Sequence, residues 1–78
     1  MVKIVKYSNR KLYDLEKKGY IRLLDVVNYV KEGQEVEVVD YDQKTDITNE
    51  VLTSAAIYTL RRNSKFSKDL AVNFIKNI

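Results

Sequence analysis

Lys6-Tyr7-Ser8-Asn9-Arg10-Lys11-Leu12-Tyr13-Asp14 constrains the fold more than any other stretch of this chain. Val2 to Tyr7 on one side and Lys11 to Leu15 on the other are rich in β-branched, aromatic and aliphatic residues, the types that fit a pleated, half-buried surface. Between them Ser8-Asn9-Arg10 reads as a turn, because Ser and Asn side chains hydrogen-bond nearby backbone amides and Asn tolerates a left-handed conformation. The result is a strand, a turn and a strand, with cations, an amide and two aromatic rings presented around the tip.

The rest of the chain supplies a core for that unit. Glu16-Lys17-Lys18-Gly19 is a second turn, with Gly19 free to take positive φ, and Tyr20 to Leu23 continues as a third short strand of an antiparallel hairpin or meander. Leu23, Val26, Val27 and Val30 fall at i, i+3, i+4 and i+7, which predicts a helix, and Gly33 closes it in the C′ position. Glu35 to Asp40 alternates as a fourth strand, with Val36 and Val38 toward a core and the glutamates toward water. Asp42 to Thr45 is a polar turn. Thr48 or Asn49 is the expected N-cap of a second helix, with Glu50 in its first turn, an apolar stripe of Leu52, Ala55, Ala56 and Leu60, and Arg61-Arg62 in its last turn. A third helix is expected from Ser64 or Ser67, where Phe66, Leu70, Phe74 and Ile78 are spaced by four; that stripe reads as an oligomer contact or the start of something longer.

The expected fold class is therefore α+β, a small antiparallel sheet of about four short strands packed with two to three helices. Residues 1–53 carry the domain, and 54–78 form a C-terminal helical extension of the same unit, available for oligomerisation. A chain of this length buries only about 60–65% of the surface its unfolded form exposes, so copies of itself are expected to help hold it.

Several chemistries drop out. The chain has no cysteine and no histidine, which removes thiolate nucleophiles, imidazole bases and the usual zinc ligands. Asp40 and Asp42 lie in a turn region with no nucleophile, base or phosphate loop to complete a catalytic site. Asp42 to Asp46 is too short for a calcium loop and lacks its glycine and glutamate. No enzyme, metal or cofactor is expected. No run approaches the roughly 18 apolar residues of a membrane helix, and the N-terminus alternates Val, Lys and Ile where a signal peptide needs an unbroken apolar segment. A soluble, cytoplasmic protein without membrane contact is the expectation.

Charge is segregated along the chain. Residues 1–22 hold seven Lys/Arg against Asp14 and Glu16, a net of +5; residues 23–50 hold Lys31 and Lys44 against eight acids, a net of −6; residues 51–78 hold five cations against Asp69, a net of +4. A polyanion is the natural partner of the first segment. Arg10 and Lys11 at the turn, supported by Lys3, Lys6, Lys17 and Lys18, can neutralise several phosphates, which sets affinity without setting sequence. Asn9 and Arg10 are the side-chain types that pair bidentately with adenine and guanine edges, so a two-stranded ribbon in a major groove could read bases with them. Arg10 could equally serve as a salt-bridge partner of Asp14 or a solvated turn cation. Tyr7 and Tyr13 either frame the nucleic acid by stacking and hydroxyl contacts or are half-buried sheet tyrosines with wet tips. Asp14 is expected to orient Arg10 or Lys11. Arg61, Arg62, Lys65 and Lys68 form a second phosphate patch or simply complement a helix end.

Lys6 to Asp14, then Tyr20-Ile21-Arg22-Leu23-Leu24-Asp25, Val27, Lys31-Glu32-Gly33, the Val36 to Asp40 strand, Asp46-Ile47-Thr48 and Val51-Leu52-Thr53 resemble, in order and spacing, the N-terminal domain of the polyhydroxyalkanoate accumulation regulators. The resemblance spans about residues 3 to 53. It implies the DNA-binding domain of a bacterial transcriptional repressor of polymer-storage genes, with duplex DNA as partner; a dimer or higher homo-oligomer is expected because dimeric regulators read paired half-sites. Three positions depart from the family pattern. Ser8 stands for the usual proline, and Lys11 for an arginine, which keeps charge but loses the bidentate fork. Arg22 stands for a threonine, so the first helix lacks a hydroxyl N-cap and Asp25 at N3 must serve. The family's polymer-binding part lies C-terminal to this domain, so binding of polymer granules is not expected of this chain. The alternative function is a protein-interaction or single-stranded RNA-binding module without enzymatic activity.

Overall fold

The computed structural model describes residues 1–62 together with 72, 73 and 75–77; the expected third helix, with Phe66, Leu70, Phe74 and Ile78, falls largely outside them. The elements run β1 (Val2–Lys6), β2 (Leu12–Asp14), β3 (Gly19–Ile21), α1 (Leu23–Lys31), β4 (Val36–Asp40) and α2 (Thr48–Arg62). The fold is α+β: a four-stranded sheet in the order β3-β2-β1-β4 with the two helices packed on it.

The sheet is mixed where alternation and turns alone suggested an antiparallel one. β1, β2 and β3 form the expected antiparallel meander, but β4 pairs parallel to β1, with Val2 opposite Val36 and Lys6 opposite Asp40. The reason lies in α1. Its nine residues, at 1.5 Å of rise each, span about 13 Å and return the chain to the end at which β1 begins. The next strand then runs in the same direction as β1, and the Val2 amide donates to the Glu35 carbonyl at 2.8 Å.

Period-two alternation sorts the sheet into two faces. Val2 and Ile4 of β1, Leu12 of β2, Ile21 of β3 and Val38 of β4 point to the helices and are buried with Val26 of α1 and Val51 and Ala55 of α2. On α1 the expected stripe is narrower than its spacing implied: Val26 is fully buried, Leu23 and Val27 pack at the margin, and Val30 is 50% exposed. Tyr29 takes the vacated share of the contact. At the helix end Gly33, at φ +81°, donates to Val30 while Gln34 donates to Tyr29, both at 3.0 Å. These are the two bonds of a Schellman motif, as the glycine predicts.

The start of α2 differs from the expected cap. The Asp46 carboxylate, outside the helix, accepts from the Thr48 amide at 2.8 Å. Thr48 Oγ1 instead accepts from the Val38 amide at 2.9 Å, so the hydroxyl tethers α2 to β4.

Two loops share one design. Asp14 Oδ1 accepts from the amides of Glu16 and Lys17 (2.9 and 3.0 Å), and Asp40 Oδ1 accepts from those of Asp42 and Gln43 (both 2.9 Å). In each loop the aspartate carbonyl accepts from the residue four positions on, Lys18 at 2.8 Å and Lys44 at 2.9 Å, and both lysines sit at φ +57°. The positive φ expected of Gly19 therefore belongs to Lys18, while Gly19 pairs with Asp14 as the first residue of β3. An aspartate that caps its own loop fixes where the left-handed residue falls, whatever side chain is there.

Asp14 is only 3% exposed. Its carboxylate completes its partners with the Tyr29 hydroxyl, which donates at 2.7 Å from α1. Burial pushes the Asp14 carboxyl up, but the Lys17 amide, the Tyr29 hydroxyl and the Glu16 amide outweigh it and hold the group below the ordinary carboxylate range. The same bond, with burial, pushes the Tyr29 hydroxyl up to about 12. A depressed carboxyl contributes stability that is present above its unfolded pKa, near 3.9, and lost as pH falls through the folded value. A raised tyrosine contributes stability present below its unfolded value of about 10 and lost as pH rises through the folded one. Tyr29→Phe is expected to lower the unfolding free energy in urea by about 1–3 kcal/mol at neutral pH, with the deficit shrinking toward pH 3 as Asp14 protonates. Equal urea midpoints for the two proteins at neutral pH would show that this bond does not hold α1 to the sheet.

Candidate nucleic-acid interface

The hairpin tip is a three-residue loop. The Tyr7 carbonyl accepts from the Arg10 amide at 2.9 Å, and the Tyr7 amide donates to the Lys11 carbonyl at 3.1 Å. Asn9 Oδ1 accepts from the Lys11 amide at 2.9 Å, so the Asn9 side chain shapes the turn. The left-handed residue is Arg10, at φ +66°. That position of a three-residue hairpin normally belongs to glycine, and a side chain there costs roughly 1–2 kcal/mol.

The structure brings six of the eight expected residues to the tip end of the sheet and leaves two elsewhere. Lys6 ends β1 opposite Asp40. It lines a small cleft of about 140 Å³ on the helix side, with Arg10 and with Ser54 of α2. Arg10 also reaches a second cleft of about 350 Å³, lined by Lys11, Arg22, Leu24 and Tyr58 among others. Lys11 Nζ stands 5.5 Å from the centroid of the Tyr20 ring. Tyr7 and Tyr13 are half-buried, with ring centroids 6.0 Å apart, edge to face. Lys17 and Lys18 lie in the β2–β3 loop at the opposite end, where Lys17 shares a surface with Val2 and Tyr29. Asp14 belongs to that end too. It orients neither Arg10 nor Lys11, because its oxygens are taken by the Glu16 and Lys17 amides and the Tyr29 hydroxyl.

Four further residues complete the surface. Tyr20 and Tyr41 extend the Tyr7–Tyr13 pair into a row across the uncovered face: Tyr13 to Tyr20 is 5.3 Å and Tyr7 to Tyr41 is 5.0 Å between centroids. They are 60% and 50% exposed, and Lys44 Nζ stands 4.4 Å from the Tyr41 centroid. Tyr20 was legible in principle, since pairing opposite Tyr13 follows from the length of the second turn. Tyr41 was not, because its place depends on the parallel pairing of β4. The other two come from α2: Arg62 Nη1 donates to the Tyr58 hydroxyl at 3.0 Å, with the guanidinium 5.5 Å from the ring centroid. Lys65 and Lys68 lie outside the described residues.

Among the described residues no group of three Asp, Glu, His or Cys could hold a metal ion, and no helix is long and apolar enough to cross a membrane. What the tip offers is cations, hydroxyls and aromatic edges. That chemistry suits an anionic, aromatic polymer such as nucleic acid.

Residues 3–62 match the family model described as the PHB/PHA accumulation regulator DNA-binding domain. The match includes all but the first residue of β1 and the whole of α2. Two relatives are each 47% identical over 49 residues, 63% of this chain. One is an uncharacterized protein of Allochromatium vinosum, of which 32% is covered; the other is a Thiocystis violacea protein described as an uncharacterized protein in the phbA 5' region, of which 36% is covered. The chain thus spans about a third of the length of these relatives. No solved structure matches. The chain belongs to the family of PHB/PHA accumulation regulator DNA-binding domains.

Proposed function

We propose that this family member binds duplex DNA through the tip of the β1–β2 hairpin and serves as a repressor-like transcriptional regulator of polyhydroxyalkanoate storage genes. The observation that carries the reading is Arg10. A long, cationic, fork-shaped side chain occupies the backbone position where glycine costs least, and it lines two clefts that have no acid among the described residues. A two-stranded ribbon fits a major groove, and an arginine at its tip can bond guanine O6 and N7 together. Lys11 supplies phosphate contact beside it. Lys6 adds to this more weakly, since it stands opposite Asp40.

Asn9 serves chiefly as the turn former that aims Arg10, with its Nδ2 left to donate to a base or sugar. Tyr7 and Tyr13 frame the ribbon. Lys17 and Lys18, at the far end, contribute to the long-range field that draws in DNA rather than to the tip contact. Reading of paired half-sites by a homo-oligomer follows the usual geometry of dimeric regulators. Because the curated relatives are about three times as long as the matched stretch, sensing of polymer and assembly of the whole regulator are proposed to rest with chain beyond this domain. The compartment that goes with this reading is the cytoplasm, and no catalytic role is assigned.

The four-tyrosine face favours a second reading, contact with single-stranded nucleic acid, in which bases stack on Tyr20 and Tyr41. Competition separates the two: the duplex reading expects mixed-sequence single-stranded RNA to fail to displace a duplex from the chain's own upstream region, and displacement at equal concentration would favour the second. Fluorescence anisotropy on that duplex tests the residues. Lys11→Ala is expected to weaken binding about equally for all sequences and to lower the salt slope by about one. Arg10→Gly is expected to raise folding stability by up to about 1 kcal/mol while costing about 1–3 kcal/mol of sequence discrimination. Undiminished selectivity in the glycine variant would remove Arg10 from base reading.

A further inference from the structure

We infer that the cleft between the hairpin tip and α2 is a seat for one phosphate group, built by Arg10, Lys11, Arg22 and the Tyr58–Arg62 pair. The cations come from three places in the sequence. Arg10 and Lys11 arrive on the tip, Arg22 precedes α1, and Arg62 ends α2. Among the described residues, no carboxylate lines the cleft of about 350 Å³ that joins Arg10, Lys11, Arg22 and Tyr58, or the neighbouring cleft that Arg10 shares with Lys6 and Ser54.

Arg22 and the Tyr58–Arg62 pair are held in ways that leave them to meet an anion, while Lys11 lines the cleft with its Nζ 5.5 Å from the Tyr20 ring centroid. The Arg22 backbone is fixed because its amide donates to Asp25 Oδ2 at 2.8 Å, whereas its own side chain makes no capping bond. A hydroxyl at this position would have capped α1; the arginine supplies a guanidinium instead. Arg62 lies against the Tyr58 ring and donates to its hydroxyl oxygen at 3.0 Å. Since that oxygen accepts from Arg62, the tyrosine proton is left to donate to a third party. Leu12, Ile21, Leu23 and Leu24 form the floor, and an apolar floor lowers the local dielectric and strengthens every charge contact above it. Guanidinium forks match phosphate oxygens two at a time, so the two arginines that line the cleft, with Arg62 behind Tyr58, favour a phosphate over a lone carboxylate.

The ligand chemistry is a phosphate oxyanion, and it has two sources: a backbone phosphate of duplex DNA lying beside the inserted tip, or free phosphate. The first rests on the duplex-binding reading above; the second does not. With the DNA source, α2 and Arg22 grip the strand that flanks the ribbon, and the tip and the helix hold the duplex from two directions.

The full 78-residue chain tests this in two arms. In the first, inorganic phosphate is titrated at low salt while backbone amide resonances are followed. Saturable shifts are expected at Arg22, Leu24 and Tyr58, none at Lys31 or Gly33 at the far end of α1, and loss of the shifts in Arg22→Gln and Arg62→Gln. In the second, anisotropy is measured with a duplex from the chain's own upstream region. Each of those variants is expected to bind roughly three- to tenfold more weakly, with a salt slope reduced by about one, while Lys31→Gln behaves as the parent. Circular dichroism melts check that all variants fold. Saturable phosphate shifts at the cleft without duplex binding keep the seat, assign it to free phosphate and count against the DNA reading instead. Duplex binding with the cleft resonances unmoved and both arginine variants at parental affinity and slope overturns the seat and leaves the DNA reading standing. Variants no weaker than Lys31→Gln in both arms overturn it as well.

Discussion

The buried carboxylate of Asp14 is the constraint on which the rest of the domain depends. It is the one buried charged residue among those described, and a carboxylate out of water is tolerated only when its lone pairs are filled. Two amides of its own loop and the Tyr29 hydroxyl fill them. The loop bonds fix the reversal from β2 to β3, and the tyrosine bond fixes α1 over the sheet. Once α1 is placed, the chain must re-enter the sheet parallel to β1, and that pairing brings Val38 into the core and Tyr41 to the outer face. A single polar cluster therefore relays from the meander to the strand farthest from it.

The recurrence of the same loop at Asp40 changes how the tip must be understood. Arg10, Lys18 and Lys44 are the non-glycine residues at positive φ among those described, and all three are cationic. Lys18 and Lys44 take that conformation because an aspartate four residues earlier imposes it. Left-handed strain alone therefore does not mark function in this protein. Arg10 is set apart by what surrounds it: it has no aspartate of its own, its loop is closed by Asn9 and Tyr7, and it lines two clefts without acid among the described residues.

Local features of this fold were legible in the sequence, and features that needed a second partner were not. The meander, α1 with its Gly33 cap, the Val36–Asp40 strand and the extent of α2 follow from periodicity and turn chemistry acting over a few residues. The parallel pairing of β4, the hydroxyl tether of Thr48 to Val38 and the Tyr29–Asp14 bond join residues ten or more positions apart, and no short window contains them. The same division holds at the site. Tip residues Lys6 to Tyr13 announce themselves as one block, whereas Arg22 and Tyr58 look like an odd cap and an ordinary helix residue until tertiary packing sets them beside Arg10.

Charge segregation gains its meaning from that packing. The basic first segment and the basic end of α2 lie far apart in sequence, and the acidic middle lies between them. The topology folds the middle out as α1 and β4 and brings Tyr58, one turn before the basic end of α2, to the cleft that Arg10, Lys11 and Arg22 line. The uncovered sheet face needs no partner to be soluble, because Tyr7, Tyr13, Tyr20 and Tyr41 offer hydroxyls to water over their apolar bodies. Its edges are also protected: β3 is three residues long, and β4 is partly closed by the Val39–Asp46 bridge and Thr48. The cations that line the tip cleft, which has no acid among its described lining residues, have no such internal remedy. Their mutual repulsion is a cost that folding leaves in place and that a polyanion could relieve, which is the physical basis of the proposed binding.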